Sequence, residues 1–379
     1  MRFVFISTMA GYPWGGSEEL WSRAALRLRA EGNHVAAAVG WRPQVPKQVT
    51  HLVERGIELF LQTPPFSSLP ARAWRKALAR VAPPFGNREL RWLLRQKPDL
   101  VCVSNGGNVD GLRFLAMCLD HGLPYVSVMQ ANSEAIWPHD EQAERLIAVY
   151  RGARKAFFVS DRNRVLFETQ LGVGLSNAEV VRNPFNVSWE ASPPWPSEAN
   201  GWKLACIGRF DPGAKGQDFL LQVLASDTWK ARPATLSLFG SGPMEQGLRR
   251  LAATLGLAER VRFAGQVSDI VQVWATHHAL ALTSRYEGLP LVLVEAMLCG
   301  RPAIVTDVAG NAEMVEEGVS GFVAAAPTVD LVAHAMERAW EHRGEWRAMG
   351  SAARQRVEAL VPKDPVGQFC EQLLRSARS

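Results

Sequence analysis

Tyr286-Glu287-Gly288-Leu289-Pro290-Leu291-Val292-Leu293-Val294-Glu295-Ala296-Met297 follows a short apolar run, Ala279–Thr283, and its reading decides the fold. The run predicts a strand and the residues from Pro290 onward predict a helix. Proline suits a first helical turn, because its fixed φ is already helical and its missing N–H has no partner to lose there. Strand, turn and helix start in this order place backbone N–H groups between Gly288 and Val292 at the positive end of a helix, where an anion is stabilised. Glu287 precedes the helix and Glu295 lies inside its apolar stretch. A carboxylate taken out of water needs hydrogen-bond partners, and hydroxyl groups of a ligand would supply them.

Outward from this segment the same alternation repeats along all 379 residues. Phe3–Ser7, Val35–Val39, Asp99–Ser104, Pro124–Gln130 and Ala156–Ser160 predict strands in the first half. Leu204–Gly208, Thr235–Phe239, Val261–Phe263, Ala279–Thr283, Pro302–Thr306 and Gly321–Val323 predict them in the second. Helical patterns separate them, the first over Ser17–Glu31 with Ser17 as N-cap and Gly32 beyond its end. Alternation of this kind means doubly wound parallel sheets, with ligands outside the carboxyl ends of the strands. The Pro-rich, aperiodic stretch Asn186–Gly201 predicts a linker or an edge loop. The expected architecture is α/β, with two Rossmann-like doubly wound domains facing a cleft. Residues 1–186 form the first and 187–361 the second, and the length is more than one core ordinarily supports.

Composition narrows the class. The five cysteines are scattered through apolar segments without CxxC spacing, which reads as reduced thiols of a cytoplasmic protein. No uncharged apolar run of about 18 residues predicts a transmembrane helix, and the start is too short for a signal peptide. Residues 1–185 hold 23 Lys+Arg against 16 Asp+Glu, whereas 186–379 hold 19 against 21. The excess centres on 71–97, where Arg72, Arg75, Lys76, Arg80, Arg88, Arg91, Arg95 and Lys97 are interleaved with Trp74, Phe85 and Trp92. Two readings fit this stretch: an anionic membrane surface or acidic acceptor, and a solvated helix face with its aromatics in the core. No nucleic-acid-binding module accompanies the charge, so nucleic acid is not an expected partner.

Chemistry-bearing residues cluster where strands end. Arg209 and Lys215 follow Leu204–Gly208 and suit a diphosphate, as a bidentate fork and a point charge; two surface cations are the alternative. Gly15 and Gly16 follow the first strand and permit close backbone approach to a phosphate or sugar; a bare tight turn is the alternative. Gly240-x-Gly242 lacks the third glycine of a dinucleotide fingerprint and reads as a strand-to-helix turn. No G-x4-G-K-[ST] order makes a P-loop. His277 and His278 are adjacent, hence not on one helix face, and no metal site is expected. Ser104-Asn105-Gly106-Gly107-Asn108 offers amides and hydroxyls that suit a sugar, or only a loop.

These motifs together resemble the retaining family-4 glycosyltransferases of the two-domain GT-B fold. Glu287 and Glu295 match the E-x7-E signature. Gly15-Gly16-Ser17-Glu18 resembles the family's Gly-Gly loop, Val181-Arg182-Asn183-Pro184 its Asn motif, and Ile207-Gly208-Arg209-Phe210 with Lys215-Gly216 its phosphate site. Phe263-Ala264-Gly265-Gln266-Val267 resembles the base-binding loop, and Thr306-Asp307-Val308-Ala309-Gly310 with Glu313 the closing motif. The resemblance implies a donor site of Gly15, Gly16, Arg209, Lys215, Gln266, Val267, Glu287, Gly288, Leu289, Pro290, Leu291, Val292 and Glu295. Glu287, Arg209, Lys215 and Gln130 would serve catalysis. Gln130 stands where many relatives carry a histidine, and an amide cannot act as a base near neutral pH. Acceptor contacts are expected from Asn105, Asn108, Asn132, Glu134 and His139. The implied activity is metal-independent, retaining transfer of a hexose from a UDP- or GDP-sugar, without a cofactor, to a sugar or lipid-linked glycan. It would serve cell-envelope or exopolysaccharide synthesis, in the cytoplasm or on the inner membrane face. The same architecture also fits a sugar phosphorylase or synthase, and a non-catalytic nucleotide-sugar-binding protein. The resemblance further implies that the last helix, within 362–379, packs back on the first domain.

Overall fold

The apolar runs are strands of two separate sheets, in a computed structural model that describes residues 1–9, 14–40, 45–62 and 87–379. The first sheet contains β1 (Arg2–Ser7), β2 (His34–Gly40), β3 (Glu58–Gln62), β4 (Leu100–Asn105), β5 (Tyr125–Met129), β6 (Lys155–Phe158) and β7 (Ala178–Val180). Its order is β3-β2-β1-β4-β5-β6-β7. The second contains β8 (Trp202–Ile207), β9 (Ala234–Phe239), β10 (Val261–Gly265), β11 (Ala279–Leu282), β12 (Ala303–Thr306) and β13 (Gly321–Ala324), in the order β10-β9-β8-β11-β12-β13. The pairings are parallel throughout. β4 and β12 are buried along their whole length. Strands covered on both faces read as continuous apolar runs, which is why these were legible. In each sheet the order reverses once, between β1 and β4 and between β8 and β11, the place where open α/β sheets ordinarily bind their ligands.

The chain divides into two units. One comprises Met1–Val159, Arg164–Asn183 and Asp364–Ser379; the other comprises Ser160–Asn163 and Pro184–Lys363. The first core gathers Val4, Ile6, Val101, Val103, Tyr150 and Phe167, and the second Leu204, Leu220, Leu236, Met336 and Trp346. The C-terminal helix Pro365–Arg378 completes the first unit. Its Phe369 meets the Phe157 ring edge-on at 5.5 Å, and Asp364 pairs with Arg27 at 2.5 Å.

Several details differ from the sequence reading. The units part at Asn183–Pro184, three residues before the expected boundary, and of the two readings of Asn186–Gly201 the stretch is a loop of the second unit. Arg354 donates to the carbonyls of Trp189 and Ala191, and Arg301 to those of Pro193 and Pro194, so this stretch is pinned to the second unit. Ser17 is not an N-cap: it sits inside a 3-10 turn, Gly16–Glu18, and its hydroxyl contacts Met9 Sδ, while the α-helix spans Glu19–Ala30. Buried Glu18, held by the Ser7 hydroxyl at 2.9 Å, tightens the chain into that turn. Pro290 is the N-cap of the helix Leu291–Leu298 and not its first turn. Strands β3 and β7 escaped the sequence reading, being short, half-exposed edges without a clean apolar pattern. Of the basic stretch, Arg72, Trp74, Arg75, Lys76, Arg80 and Phe85 lie outside the described residues. Within the helix Asn87–Gln96, Leu93 is buried, and Trp92 stacks on Phe60 at 4.8 Å and donates to Glu58. Those residues therefore face the core. No described helix is long and apolar enough to cross a membrane.

Candidate functional site

In the second unit, the loops leaving β8 and β11 meet backbone to backbone, with the Arg285 N–H donating to the Ala214 carbonyl at 2.9 Å. Gly216 ends the short helix Pro212–Lys215 with φ of +61°, and a Cβ there would fall 1.9 Å from the Thr283 carbonyl oxygen. Only glycine tolerates both the left-handed conformation and that approach. The Thr283 hydroxyl donates back to the Gly216 carbonyl at 2.8 Å. Lys215 is thereby delivered to Glu287, its Nζ 2.5 Å from Oε1. The Ser284 hydroxyl donates to the same oxygen at 2.7 Å, and the Ser284 carbonyl is fixed by the Thr306 hydroxyl from the end of β12. Glu287 is thus buried but doubly partnered, as a charge out of water must be.

The second cation is oriented in the same way. Arg209 lies 3.2 Å from Asp211, and its carbonyl accepts from Gln217 at 2.7 Å. The side chains of Lys215 and Arg209 remain 21 % and 31 % exposed, so both reach solvent from a structured loop. Beneath them burial pushes the Cys206 thiol up to about 12, which leaves it neutral and unsuited to nucleophilic work.

Glu295 has partners within the chain. Its Oε1 accepts from both the backbone N–H and the side-chain amide of Asn186, each at 2.9 Å. The expected hydroxyl ligand is therefore not the only means of satisfying this buried carboxylate. Glu313, in the closing motif, accepts from the N–H groups of Asp161 and Arg162 at the start of the helix Asp161–Leu171. Gly288 is tied through its carbonyl to the Gly310 N–H at 2.8 Å, which joins the signature turn to the closing motif. Gln266 stands farther along the same edge, beyond β10, where its amide donates to the Ser241 hydroxyl at 2.9 Å and Val267 follows.

Arg285 is a contributor that sequence reasoning missed. Its guanidinium forks onto Asp218 at 2.7 and 2.8 Å, donates to the Pro212 carbonyl at 2.6 Å, and lies 3.6 Å over the Phe219 ring. Arg285 therefore clamps the Lys215 turn between two strand ends. Its place immediately before Tyr286-Glu287 was the available signal, but Asp218 is 67 residues away.

The corresponding edge of the first unit is built from amides. Asn105 donates to the Tyr150 hydroxyl at 3.1 Å, and burial pushes that phenol above its ordinary range. Asn108 donates to the Ile136 carbonyl at 2.7 Å and to Gln170 at 3.3 Å, while Asn132 donates to Gln170 at 3.1 Å. Three expected acceptor residues thus spend their amide donors inside the protein, bracing loops. Glu134 and His139 are exposed. Gln130 accepts from Asn183 at 3.0 Å; both are buried, and Gln130 Nε2 and Asn183 Oδ1 have no partner. Gly15 is extended and Gly16 opens the 3-10 turn. A Cβ at Gly15 would meet Met9 Sδ at 3.4 Å, an ordinary contact, so packing within the chain does not by itself demand that glycine.

Comparison with known proteins agrees with this geometry. Residues 202–342, within the second unit, match the family model described as glycosyl transferases group 1. A GDP-mannose-dependent alpha-(1-6)-phosphatidylinositol monomannoside mannosyltransferase of Mycobacterium tuberculosis (strain CDC 1551 / Oshkosh) is 35% identical over 183 residues, covering 45% of this chain and 47% of the relative. The Vi polysaccharide biosynthesis protein VipC/TviE of Salmonella typhi is 43% identical over 101 residues, 26% of this chain and 18% of that protein. This chain spans about half the length of the mycobacterial relative, or less for the Salmonella protein. Anabaena Alr3699/HepE, solved in complex with UDP, is similar in fold with a TM-score of 0.75, covering 99% of this chain and 100% of that one at 21% identity. The fold is GT-B, two parallel-sheet α/β domains.

Proposed function

We propose that this chain is a glycosyltransferase that moves a hexose, with retention and without a metal ion, from a UDP- or GDP-linked donor to a sugar or lipid-linked glycan. The setting is polysaccharide or cell-envelope synthesis. The observation that carries the proposal is the Lys215–Glu287 pair, held by Ser284 at the switch point of the second sheet with Arg209 on the adjoining loop. A nucleoside diphosphate supplies charge for the two cations, and each is already paired and oriented before the donor arrives. The names of the mannosyltransferase relative and of the UDP complex support a nucleotide-sugar donor.

As the bond from the anomeric carbon to the diphosphate breaks, charge grows on the leaving oxygen, and Lys215 and Arg209 stabilise it. Glu287 offers its acceptor oxygens to hexose hydroxyls, and Glu295, steadied by Asn186, meets the ribose. The departing phosphate oxygen takes the acceptor's proton as the new glycosidic bond forms on the same face. That path uses no protein base, and Gln130 is compatible with it. NMR of the product's anomeric proton before mutarotation tests this: α-linked donor should give α-linked product, and a β-linked product overturns retention. Transfer should also persist in EDTA; complete loss restored by magnesium or manganese overturns metal independence.

A further inference from the structure

In the first unit, the loop beyond β5 presents two large apolar side chains to solvent. Ile136 is 44 % exposed and Trp137 is 60 % exposed. Such exposure ordinarily accompanies a mobile loop, yet this one is braced from several directions. The Ile136 carbonyl accepts from Asn108 at 2.7 Å and from Gln170 at 3.2 Å, and Gln170 also donates to the Ser133 carbonyl at 2.8 Å. Asn132 secures Gln170 in turn, and the indole N–H of Trp137 is fixed to the Glu134 carbonyl at 2.9 Å. Buried amides from three segments thus hold an indole ring in the open, which prepays the ordering cost of binding.

A groove of about 630 Å³ begins two residues farther on, lined by Leu112, His139, Glu141, Gln142, Glu144 and Arg145. Its size is that of an ordinary small-molecule cleft, commonly about 300–1,000 Å³. The local charge is acidic. Glu141 and Glu144 line the groove, Glu134 and Asp140 lie within three residues of Trp137 in the chain, and Arg145, the cation of the groove, is engaged by both oxygens of Asp120 at 2.5 Å. An anionic bilayer is repelled by such a surface. A neutral sugar chain suits it: C–H faces of the pyranose rings pack on the indole, while hydroxyls donate to carboxylates and pair with the Gln142 amide.

We infer that Trp137 and the adjoining groove bind an uncharged oligosaccharide, the glycan portion of the acceptor, and set which acceptor is used. This rests on the proposed transferase function for the transfer itself. Trp137 selects by stacking and the groove by hydroxyl pairing, so acceptors of several sugars are preferred to monosaccharides.

The experiment uses the full chain on immobilised neutral α-linked manno- and gluco-oligosaccharides, from di- to hexasaccharide, and on vesicles containing phosphatidylglycerol. Wild-type protein should bind the longer oligosaccharides. Trp137→Ala should weaken that binding about tenfold, with Trp137→Phe restoring most of it. A Glu141→Gln, Glu144→Gln double substitution should weaken it without altering the melting temperature. Absence of oligosaccharide binding by the wild type, or equal binding by Trp137→Ala, overturns the inference. Vesicle binding that Trp137→Ala abolishes also overturns it, in favour of a membrane contact. The rise in melting temperature with UDP-glucose or GDP-mannose is read separately: its absence in the wild type sinks the transferase reading, whereas the oligosaccharide results judge the platform.

Discussion

Beyond β8 and β11 the loops carry charges that are already paired, Lys215 with Glu287 and Arg285 with Asp218. Beyond β4 and β5 the loops carry buried neutral amides bonded to amides elsewhere in the unit, Asn108 and Asn132 with Gln170 and Gln130 with Asn183. Both sets hang from the same open-sheet topology, with the order reversing between the first and fourth strands. Topology therefore sets where a crevice opens, and loop chemistry sets what it does. A charged edge holds ready countercharge for an anion. An amide edge holds shape, because each Asn or Gln bridges two loops without demanding a counter-ion.

The sharpest way to break the comparison is at its two tightest glycines. Gly216→Val would drive a side chain into the backbone carbonyl of Thr283, and should cost about 3–5 kcal/mol in urea unfolding. Gly111→Ala would meet the amide of Asn105 instead, with its Cβ 1.6 Å from Oδ1. A side-chain end can rotate away, so about 1–2 kcal/mol is expected there. Equal costs at the two sites would show that the amide edge is as rigid as the backbone contact. Second in size is Lys215→Ala, which should weaken donor binding by about 2–4 kcal/mol in calorimetry with UDP- or GDP-sugars. A companion Glu287→Gln should recover thermal stability, by relieving an uncompensated buried carboxylate, without recovering donor affinity. Unchanged affinity in folded Lys215→Ala would remove the cation from the site.

Acid separates the units in another way. His278 is packed against Trp195 and Trp202, and burial lowers it from 6.5 to about 4. The unfolded chain then binds a proton that the folded chain refuses. Stability is full above pH 6.5 and declines as pH falls towards 4, by roughly 1.4 kcal/mol per unit of separation. His278→Phe should flatten the acid limb of a plot of melting temperature against pH; an unaltered limb would assign it to other groups. The smallest effect is expected from Gln130→Ala, which removes a neutral hydrogen bond to Asn183 and should lower the transfer rate by about 0.5–1.5 kcal/mol. A loss a thousandfold in rate would give the amide edge a catalytic duty that neutral bonding does not explain.

The readable portion of this molecule was whatever repeats locally. Strands buried on both faces announce themselves as apolar runs, and the turn from Glu287 to Pro290 was recognisable from residue order alone. The edge strand β3, Glu58–Gln62, mixes polar and apolar residues because one flank meets solvent, so its pattern was masked. What the sequence did not disclose was pairing across distance. Asn186 reaches Glu295 over 109 residues, and Gln170 reaches Asn132 over 38, and no spacing rule connects them. The bracing by Asn108 and Asn132 was hidden for this reason: a side-chain amide does not announce a partner tens of residues away. Trp137 was invisible for the opposite reason, since a lone indole is ordinarily core and only burial distinguishes it.

The return of the last helix to the first unit has a consequence for biosynthesis. Phe369, Cys370 and Leu373 are buried there, yet the ribosome delivers them only after Pro184–Lys363 has emerged. The later-made unit is thus complete in sequence before the earlier-made one can close its core. Prior collapse of those 180 or so residues shortens the effective span that the closing helix must bridge, because closure entropy grows with loop length. A nascent first unit therefore waits with an uncovered apolar flank along Glu19–Ala30, and chaperone engagement should concentrate on that interval of translation.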